Sequence, residues 1–281
     1  MQDSLRSASQ TALMVAALRG QASKGADAIC ADPWAQALAG ADGKAVADGT
    51  AKHFPHMALW IALRTRYLDD CVRAYSAEGY RQVVVLGAGL DTRAARLKQA
   101  GQTYFEVDHP ASQEDKVARL QALGGYPLDA AIRVSCDFEH ESFMDRLIAS
   151  GFRTDVPAII VWEGVLYYLP EAAVRHTLSQ ISSQAHPESV LLFDYLSRNL
   201  VESQRVSESD EALVNELTGL GEPLRFGIND PVPLLSETGF RFVRTASFDE
   251  ICLGVTGTYN RKRMFRFQHM AHVSCAQDVT T

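Results

Sequence analysis

The sequence predicts an α/β protein with a doubly wound parallel sheet, and three observations carry that prediction. An apolar run, Val83 to Leu86, enters Gly87-Ala88-Gly89, and the helix-like run Arg93 to Leu97 follows. From Gln82 to Tyr195 short apolar runs alternate with helical ones, the rhythm of strands joined by right-handed crossovers. An acidic residue accompanies the carboxyl end of every one of the first five strands, where open parallel sheets bind ligands.

The first unit sets the frame. A strand that runs into glycines and then a helix must bend sharply, and a ligand must reach the backbone there without meeting a Cβ. By itself such a G-x-G turn is a weak signal. Two departures from the dinucleotide fingerprint sharpen it: the third glycine position holds Thr92, and Asp91 lies where a pyrophosphate would settle. A carboxylate there competes with phosphate for the helix N-terminus and can itself cap the helix. A phosphate-free, positively charged ligand such as S-adenosylmethionine tolerates it. The plainer alternative is a tight strand-to-helix turn in an unrelated α/β protein.

The remaining elements follow in order. Residues 1–80 carry no strand signal and read as a helical cap over the sheet. A helix at Ser9–Arg19 is expected to end at Gly20. Asp32-Pro33 opens another that stops at Gly40, and residues 41–50 read as a loop. A long helix spans Pro55 to Ala77, with Met57, Trp60, Ile61, Leu68, Val72 and Tyr75 near helical spacing. Strands are predicted at Val83–Leu86, Thr103–Val107, Ala131–Cys136, Ala158–Trp162 and Val190–Tyr195. Helices are predicted at 92–100, from Pro110, at 141–150 and from Pro170. Residues 197–230 break the rhythm and read as an insertion with one helix near Asp210–Leu217. A helix at 231–238 and strands near Phe240–Ala246 and Arg263–His272 finish residues 81–281, and cap and core are expected to form one structural domain.

At 281 residues the chain can bury a large core, and 47% apolar with 22% charged residues is ordinary for a soluble globular protein. The net charge of −7 and the lack of a long basic run argue against nucleic acid as a partner. Cys30, Cys71, Cys136, Cys252 and Cys275 are scattered without a C-x-x-C pair, so no metal site or disulfide framework is expected, and reduced thiols fit a cytoplasmic setting. The apolar run Thr11 to Leu18 reads as a short amphipathic helix rather than a signal sequence, and no stretch is long and apolar enough to span a membrane.

The polar residues past each strand are the candidate site. Asp108 suits ribose hydroxyls, because an ionised carboxylate accepts from both, and it could equally cap the helix at Pro110. Glu106 falls inside its strand and is the weaker choice. Asp137 could accept from an adenine amino group with Phe138 beside the base, or serve as a helix cap. Glu163 could face the amino acid end of the cofactor or its sulfonium. Asp194 closes strand five. Arg64 could pair with a cofactor carboxylate, whereas Arg66 reads as a surface arginine.

With these residues in view the chain resembles the leucine carboxyl methyltransferase group of S-adenosylmethionine-dependent methyltransferases, and more closely its bacterial branch of O-methyltransferases. The resemblance rests on ALRTRYLDD (62–70), VVVLGAGLDTRAARL (83–97), YFEVDHP (104–110), CDF (136–138), EGVLYYLP (163–170) and GEPLRFGI (221–228). It implies a Rossmann-like, seven-stranded methyltransferase sheet with a final antiparallel strand, a helical N-terminal cap, and a lid from the 197–230 insertion. It implies S-adenosylmethionine as cofactor, held by Arg64 at its carboxylate, by Gly87, Ala88 and Gly89 at the glycine turn, by Asp108 at the ribose, by Asp137 and Phe138 at the adenine, and by Glu163. Arg19 corresponds loosely to a basic N-terminal contact.

The expected reaction is methyl transfer to an acceptor oxygen, on a small molecule or a peptide C-terminus. A carboxylate acceptor is already ionised at neutral pH and needs no base. Arg225 would then hold its charge, and Tyr167 and Tyr168 would line its pocket. A phenol or alcohol acceptor, as in natural-product tailoring, calls for a base, for which His109 is the conceivable residue. No catalytic residue is otherwise singled out. The competing classes are a nicotinamide-dependent oxidoreductase, disfavoured by Asp91 and the missing third glycine, and a non-catalytic cofactor-binding module.

Overall fold

Seven strands form one sheet: β1 (Gln82–Leu86), β2 (Thr103–Asp108), β3 (Ile132–Ser135), β4 (Ala158–Trp162), β5 (Val190–Leu196), β6 (Phe242–Ser247) and β7 (Gln268–Ser274). Their order is β3-β2-β1-β4-β5-β7-β6, with the first five parallel and β7 antiparallel to both neighbours. The computed structural model describes residues 9–54, 56–138, 140–202, 208–258 and 267–276, and no side chain at 208–210, 213 or 216. β1, β4 and β5 are buried along their whole length. That is why they read as unbroken apolar runs: a parallel sheet is covered on both faces. From β1 the chain passes to β2 on one side, and β4 pairs on the other. This reversal of strand order opens the crevice in which such folds bind ligands.

Three helices precede the sheet: α1 (Gln10–Ala22), α2 (Ala35–His53) and α3 (Met57–Ala77). Ser9 caps α1, its Oγ accepting from the Ala12 N–H at 3.0 Å. Residues of all three helices, among them Leu18, Ala39, Trp60, Leu63 and Leu68, share a core cluster with Val83, Val161 and Leu192 of the sheet. The opposite face buries Val84, Phe105 and Ile160 against Phe143, Leu147, Val174 and Leu178. These last four belong to α6 (Phe143–Ala149) and α7 (Glu171–Gln184), which follow the short α4 (Arg93–Leu97) and α5 (Pro110–Gln121). Each such fully buried aliphatic side chain contributes about 1.5–3 kcal/mol.

Several predictions in the N-terminal region fail, among them the opening of the second helix at Asp32-Pro33, since α2 begins at Ala35 with Trp34 before it. Gly20 does not end α1, which runs on to Ala22. A Cβ at Gly20 would lie 2.6 Å from the backbone nitrogen of Gln36, so this glycine lets α1 and α2 touch. Residues 41–50 are helical rather than a loop, and Gly40, at φ +65°, kinks α2 instead of stopping it. Asp42, Gly43, Asp48 and Gly49 are poor helix formers alone, and packing on α1 overrides them.

The 197–230 segment contains α8 (Arg198–Val201) and α9 (Glu208–Gly219), then a loop into α10 (Pro231–Glu237). The loop is tied down: Arg225 and Phe226 donate backbone N–H groups to the Tyr167 carbonyl, and Ile228 donates to Leu196. A further helix, α11 (Phe248–Thr256), stands between β6 and β7 and was not expected, although a capping box made by Ser247 and Glu250 announces it. The strand predicted at Arg263–His272 is β7, shifted toward the C-terminus. Residues 263–266, like Pro55 at the expected start of α3, lie outside the described residues. No described helix is long and apolar enough to cross a membrane.

Candidate active site

A cavity of about 330 Å³ opens at the carboxyl ends of β1, β2 and β4, beneath α1. Of the residues assigned to cofactor or acceptor in the sequence, Arg64, Gly87, Ala88, Gly89, Asp108, Asp137, Phe138, Glu163, Tyr167 and Tyr168 line it, whereas the strand acids Glu106 and Asp194 do not. Arg19, Asp91 and His109 line it too. Arg225 does not. Its backbone is pinned to Tyr167, and its side chain is exposed and outside the cavity, so its assignment as the acceptor's cation is corrected.

The glycine turn is shaped by its neighbours. Gly87 sits at φ +64°, and a Cβ there would come within 2.4 Å of the Val165 side chain. No L side chain fits that conformation and that space together. Gly89 turns its N–H onto Asp108 Oδ2 at 2.5 Å, while Asp108 Oδ1 accepts from the His109 N–H at 2.7 Å. Asp108 is therefore not the cap of α5. His109 is, through Nδ1 accepting from the Ala111 N–H at 3.3 Å. Burial raises the Asp108 pKa above the ordinary carboxylate value, against the lowering pull of those two N–H groups. Glu106 is buried in its strand against Lys116 Nζ, 2.8 Å away, and faces away from the cavity.

Across the cavity the acids are held differently. Arg64 reaches down from α3 with Nε 2.8 Å from Glu163 Oε1 and Nη1 2.6 Å from Asp194 Oδ2. The Tyr167 hydroxyl lies 3.3 Å from the same Nη1. Arg93 contacts Glu163 Oε2 at 2.6 Å, Asp69 Oδ1 at 2.9 Å, and Asp91. Arg96 joins Asp69 and, at 3.6 Å, Asp32, which also takes Arg19 Nε at 2.7 Å. Arg19 donates in turn to the Leu90 carbonyl at 2.6 Å. These side chains form one buried lattice of charge that fastens α1 and α3 to the glycine turn and to the ends of β4 and β5.

The electrostatic outcome follows. Burial pushes the Asp91 carboxyl up, but Arg93, Arg19 and further cations pull it down to about 2. Glu163 is likewise lowered, with Arg93 and Arg64 outweighing burial. Asp91 Oδ1 also accepts from the Arg93 N–H at 2.6 Å, so the start of α4 is already occupied by an anion. The Asp91 charge is thus matched inside the protein by Arg93, and its carboxylate accepts from a backbone N–H at the start of α4, a role the sequence allowed. Burial drives the Tyr167 and Tyr168 phenols well above their usual pKa.

Sequence reasoning missed Arg93, read only as a helix start, and Glu222, which lines the cavity from the loop before α10. Thr11, Ala12 and Val15 of α1 also line it, and no motif marks them.

Comparison with known proteins agrees with this architecture. A family model described as leucine carboxyl methyltransferase matches residues 12–182. A Mycobacterium marinum protein, provisionally named as an S-adenosyl-L-methionine-dependent methyltransferase, is 32% identical over 265 residues, covering 89% of this chain and 87% of that protein. A Streptomyces coelicolor protein with the same provisional name is 36% identical over 200 residues, or 68% of this chain and 70% of its own length. Among solved structures, a DUF574 family protein from Streptomyces avermitilis superposes with a TM-score of 0.62 at 13% identity, covering 92% of this chain and 96% of that one. A provisionally titled methyltransferase from Thermobifida fusca gives 0.58 at 16% identity, with 92% and 93% covered. The chain belongs to the leucine carboxyl methyltransferase family of S-adenosylmethionine-dependent methyltransferases.

Proposed function

We propose that the protein methylates a carboxylate oxygen, on a small molecule or a peptide C-terminus. The residues around the cavity fit the cofactor. Asp108 has both oxygens engaged by backbone N–H groups, yet each keeps a lone pair for a ribose hydroxyl. Asp137 and Phe138 flank the place for the adenine, and Gly87, Ala88 and Gly89 keep the backbone low beneath it. Arg64 Nη2 makes no hydrogen bond among the described residues, and with Glu163 it provides for the amino acid end. S-adenosylmethionine, when bound, supplies an electrophilic methyl group.

The observation that supports a carboxylate acceptor is the protonation of the groups facing the cavity. Asp91 and Glu163 are held ionised by arginines and are weak bases. Tyr167 and Tyr168 are held as neutral phenols. Asp108 serves the ribose hydroxyls in this reading, and His109 Nδ1 accepts from the Ala111 N–H. An acceptor that arrives already ionised needs no base from this set. The protein's part is to align the acceptor and exclude water, with Tyr167 and Tyr168 at the acceptor side. Incubation with methyl-labelled cofactor and a panel of carboxylates, phenols and peptide C-termini tests this. Base-labile label, a methyl ester, is expected; base-stable label confined to phenols would overturn it.

A further inference from the structure

The loop before α10 brings a carboxylate to the acceptor side of the main cavity. Arg225 and Phe226 are pinned to the Tyr167 carbonyl, and three residues before Arg225 the half-buried Glu222 lines the cavity with Tyr167 and Tyr168. Its backbone N–H is held by the Leu217 carbonyl at 3.3 Å. Its carboxylate has no ion pair or hydrogen bond among the described residues. The other charges of the lining have their roles. Arg19 faces Asp32, Arg64 faces Glu163 and Asp194, and Asp91 faces Arg93. Asp108 and Asp137 serve the cofactor in the reading above. Glu222 is the charge left over, and a carboxylate drawn out of water calls for a cation.

A second observation points to the same place. Thr11, in the first turn of α1, is 8% exposed, and its Oγ1 has no hydrogen-bond partner among the described residues. It lines the cavity together with Glu222. Thr11 Oγ1 comes near the Tyr168 hydroxyl without closing a hydrogen bond, and Glu222 is the foremost charge acting on that phenol. Gln268 Oε1 is unpaired as well, but Gln268 lines only a smaller, apolar cavity of about 40 Å³ that Thr11 also borders, and no carboxylate stands there. A carboxylate, a hydroxyl oxygen and a phenol oxygen facing one space suit a cation with several N–H donors, and an ammonium has three. The rings of Tyr167 and Tyr168, with centroids 4.7 Å apart, add aromatic surface that favours a cation further.

We infer that Glu222 selects a zwitterionic acceptor, a carboxylic acid that carries an ammonium group away from its carboxylate. The carboxylate faces the cofactor's sulfonium, and the ammonium meets Glu222, Thr11 Oγ1 and the Tyr168 hydroxyl. An acid without the cation brings like charge toward Glu222 and is selected against. This assignment rests on the methyl-transfer reading above and adds what that reading leaves open, the charge of the acceptor beyond its carboxylate.

The test titrates ω-amino carboxylates, from 3-aminopropanoate to 6-aminohexanoate, by calorimetry into protein saturated with S-adenosylhomocysteine. Each is run beside the fatty acid in which a methyl replaces the ammonium, butanoate to heptanoate. For at least one pair, wild type is expected to bind the amino acid about tenfold or more tightly than its counterpart. Glu222→Gln is expected to bind that pair equally and Glu222→Lys to favour the fatty acid, with S-adenosylhomocysteine affinity unchanged in both. Thr11→Val is expected to weaken the amino acid about threefold and to spare the fatty acid. Equal affinity within every pair for wild type overturns the assignment. So does a preference that survives in Glu222→Gln, a loss of S-adenosylhomocysteine affinity in that variant, which would place Glu222 at the cofactor, or no binding of any amino acid of the series up to about 10 mM. Failure of S-adenosylhomocysteine itself to bind wild type is a separate result: it overturns the cofactor reading and, through it, this assignment. A Glu222-dependent preference beside methyl label confined to phenols would overturn the carboxylate reading while leaving Glu222 as the cation's partner.

Discussion

The two sides of the main cavity are built around buried carboxylates whose pKa values move in opposite directions. Asp91 and Glu163 sit among arginines, and charge outweighs burial, so both are lowered. Burial dominates at Asp108 and outweighs the pull of two backbone N–H groups and, after them, Lys116 and His109, so it is raised. The first side is a fixed lattice in which each ion is necessary to the next. The second is a single group whose ionised form is stabilised only in part, leaving it open to a ligand's hydroxyls. Stability and binding should therefore separate: changes on the arginine side should unfold the protein, and changes at Asp108 should weaken binding in a protein that still folds.

The largest expected effect is at Arg93. It is 1% exposed and joins Asp69, Asp91 and Glu163. Arg93→Met removes one cation and leaves three carboxylates without it in low dielectric. A loss of about 3–5 kcal/mol is expected, the usual consequence of stranding a buried ion. Urea denaturation of the variant beside wild type measures it. A loss under about 1 kcal/mol would mean that solvent reaches the lattice and that the contrast with Asp108 is false.

His272 carries the Asp108 pattern into the sheet, since burial, aided by Arg244, lowers its pKa to about 4. The Tyr75 hydroxyl lies 2.5 Å from its Nε2. A histidine kept neutral by the fold contributes stability that is complete above the unfolded pKa of about 6.5 and is lost as pH falls toward 4. The two values correspond to about 3 kcal/mol across that window. Denaturant midpoints taken from pH 7 to pH 4 should fall accordingly, and His272→Gln should flatten the slope. An unchanged slope in the variant would assign the acid sensitivity to other groups.

What could be read from the sequence divides along a similar line. The strands, the glycine turn and α3 are written in local periodicity, and the rule that ligands bind past strand ends brought Asp108, Asp137 and Glu163 to the cavity. The arginine lattice was not legible. Arg93 meets Asp69 and Glu163 only after the chain has folded, and nothing local distinguishes it from a solvent-facing helix arginine. Residues 41–50 failed for the opposite reason, since their composition is informative but tertiary contact outweighs it. The helix after β6 was a different kind of miss, because Ser247 and Glu250 carry a readable capping signal.

At Asp108 the expected effect is on binding. Asp108→Asn removes a charged acceptor, and such hydrogen bonds contribute about 1.5–3 kcal/mol, so S-adenosylhomocysteine affinity should fall roughly 10- to 100-fold. The pH dependence has a definite sign. With its pKa raised, Asp108 takes up its proton before Glu163 and Asp91 as pH falls. Cofactor affinity should weaken while the lattice is still ionised, and that phase should vanish in Asp108→Asn. Calorimetry over a pH series would show it. If affinity and stability fall together, the two sides of the cavity are not independent.

The smallest expected effect isolates burial from charge. Arg175 on α7 has two acidic partners, Glu171 and Glu237, each 2.8 Å away, and so resembles Arg93 in geometry. It differs in exposure, at 40% against 1% for the side chains. Water screens its ion pairs and hydrates each acid once the arginine is gone, whereas Asp69 and Glu163, buried against Arg93, are poorly hydrated after its loss. Arg175→Ala should therefore shift stability by no more than about 1 kcal/mol, and added salt should shrink the difference further. If the exposed arginine proved as costly to remove as the buried one, charge alone would account for both, and burial would lose its place in explaining why Asp91 and Asp108 diverge.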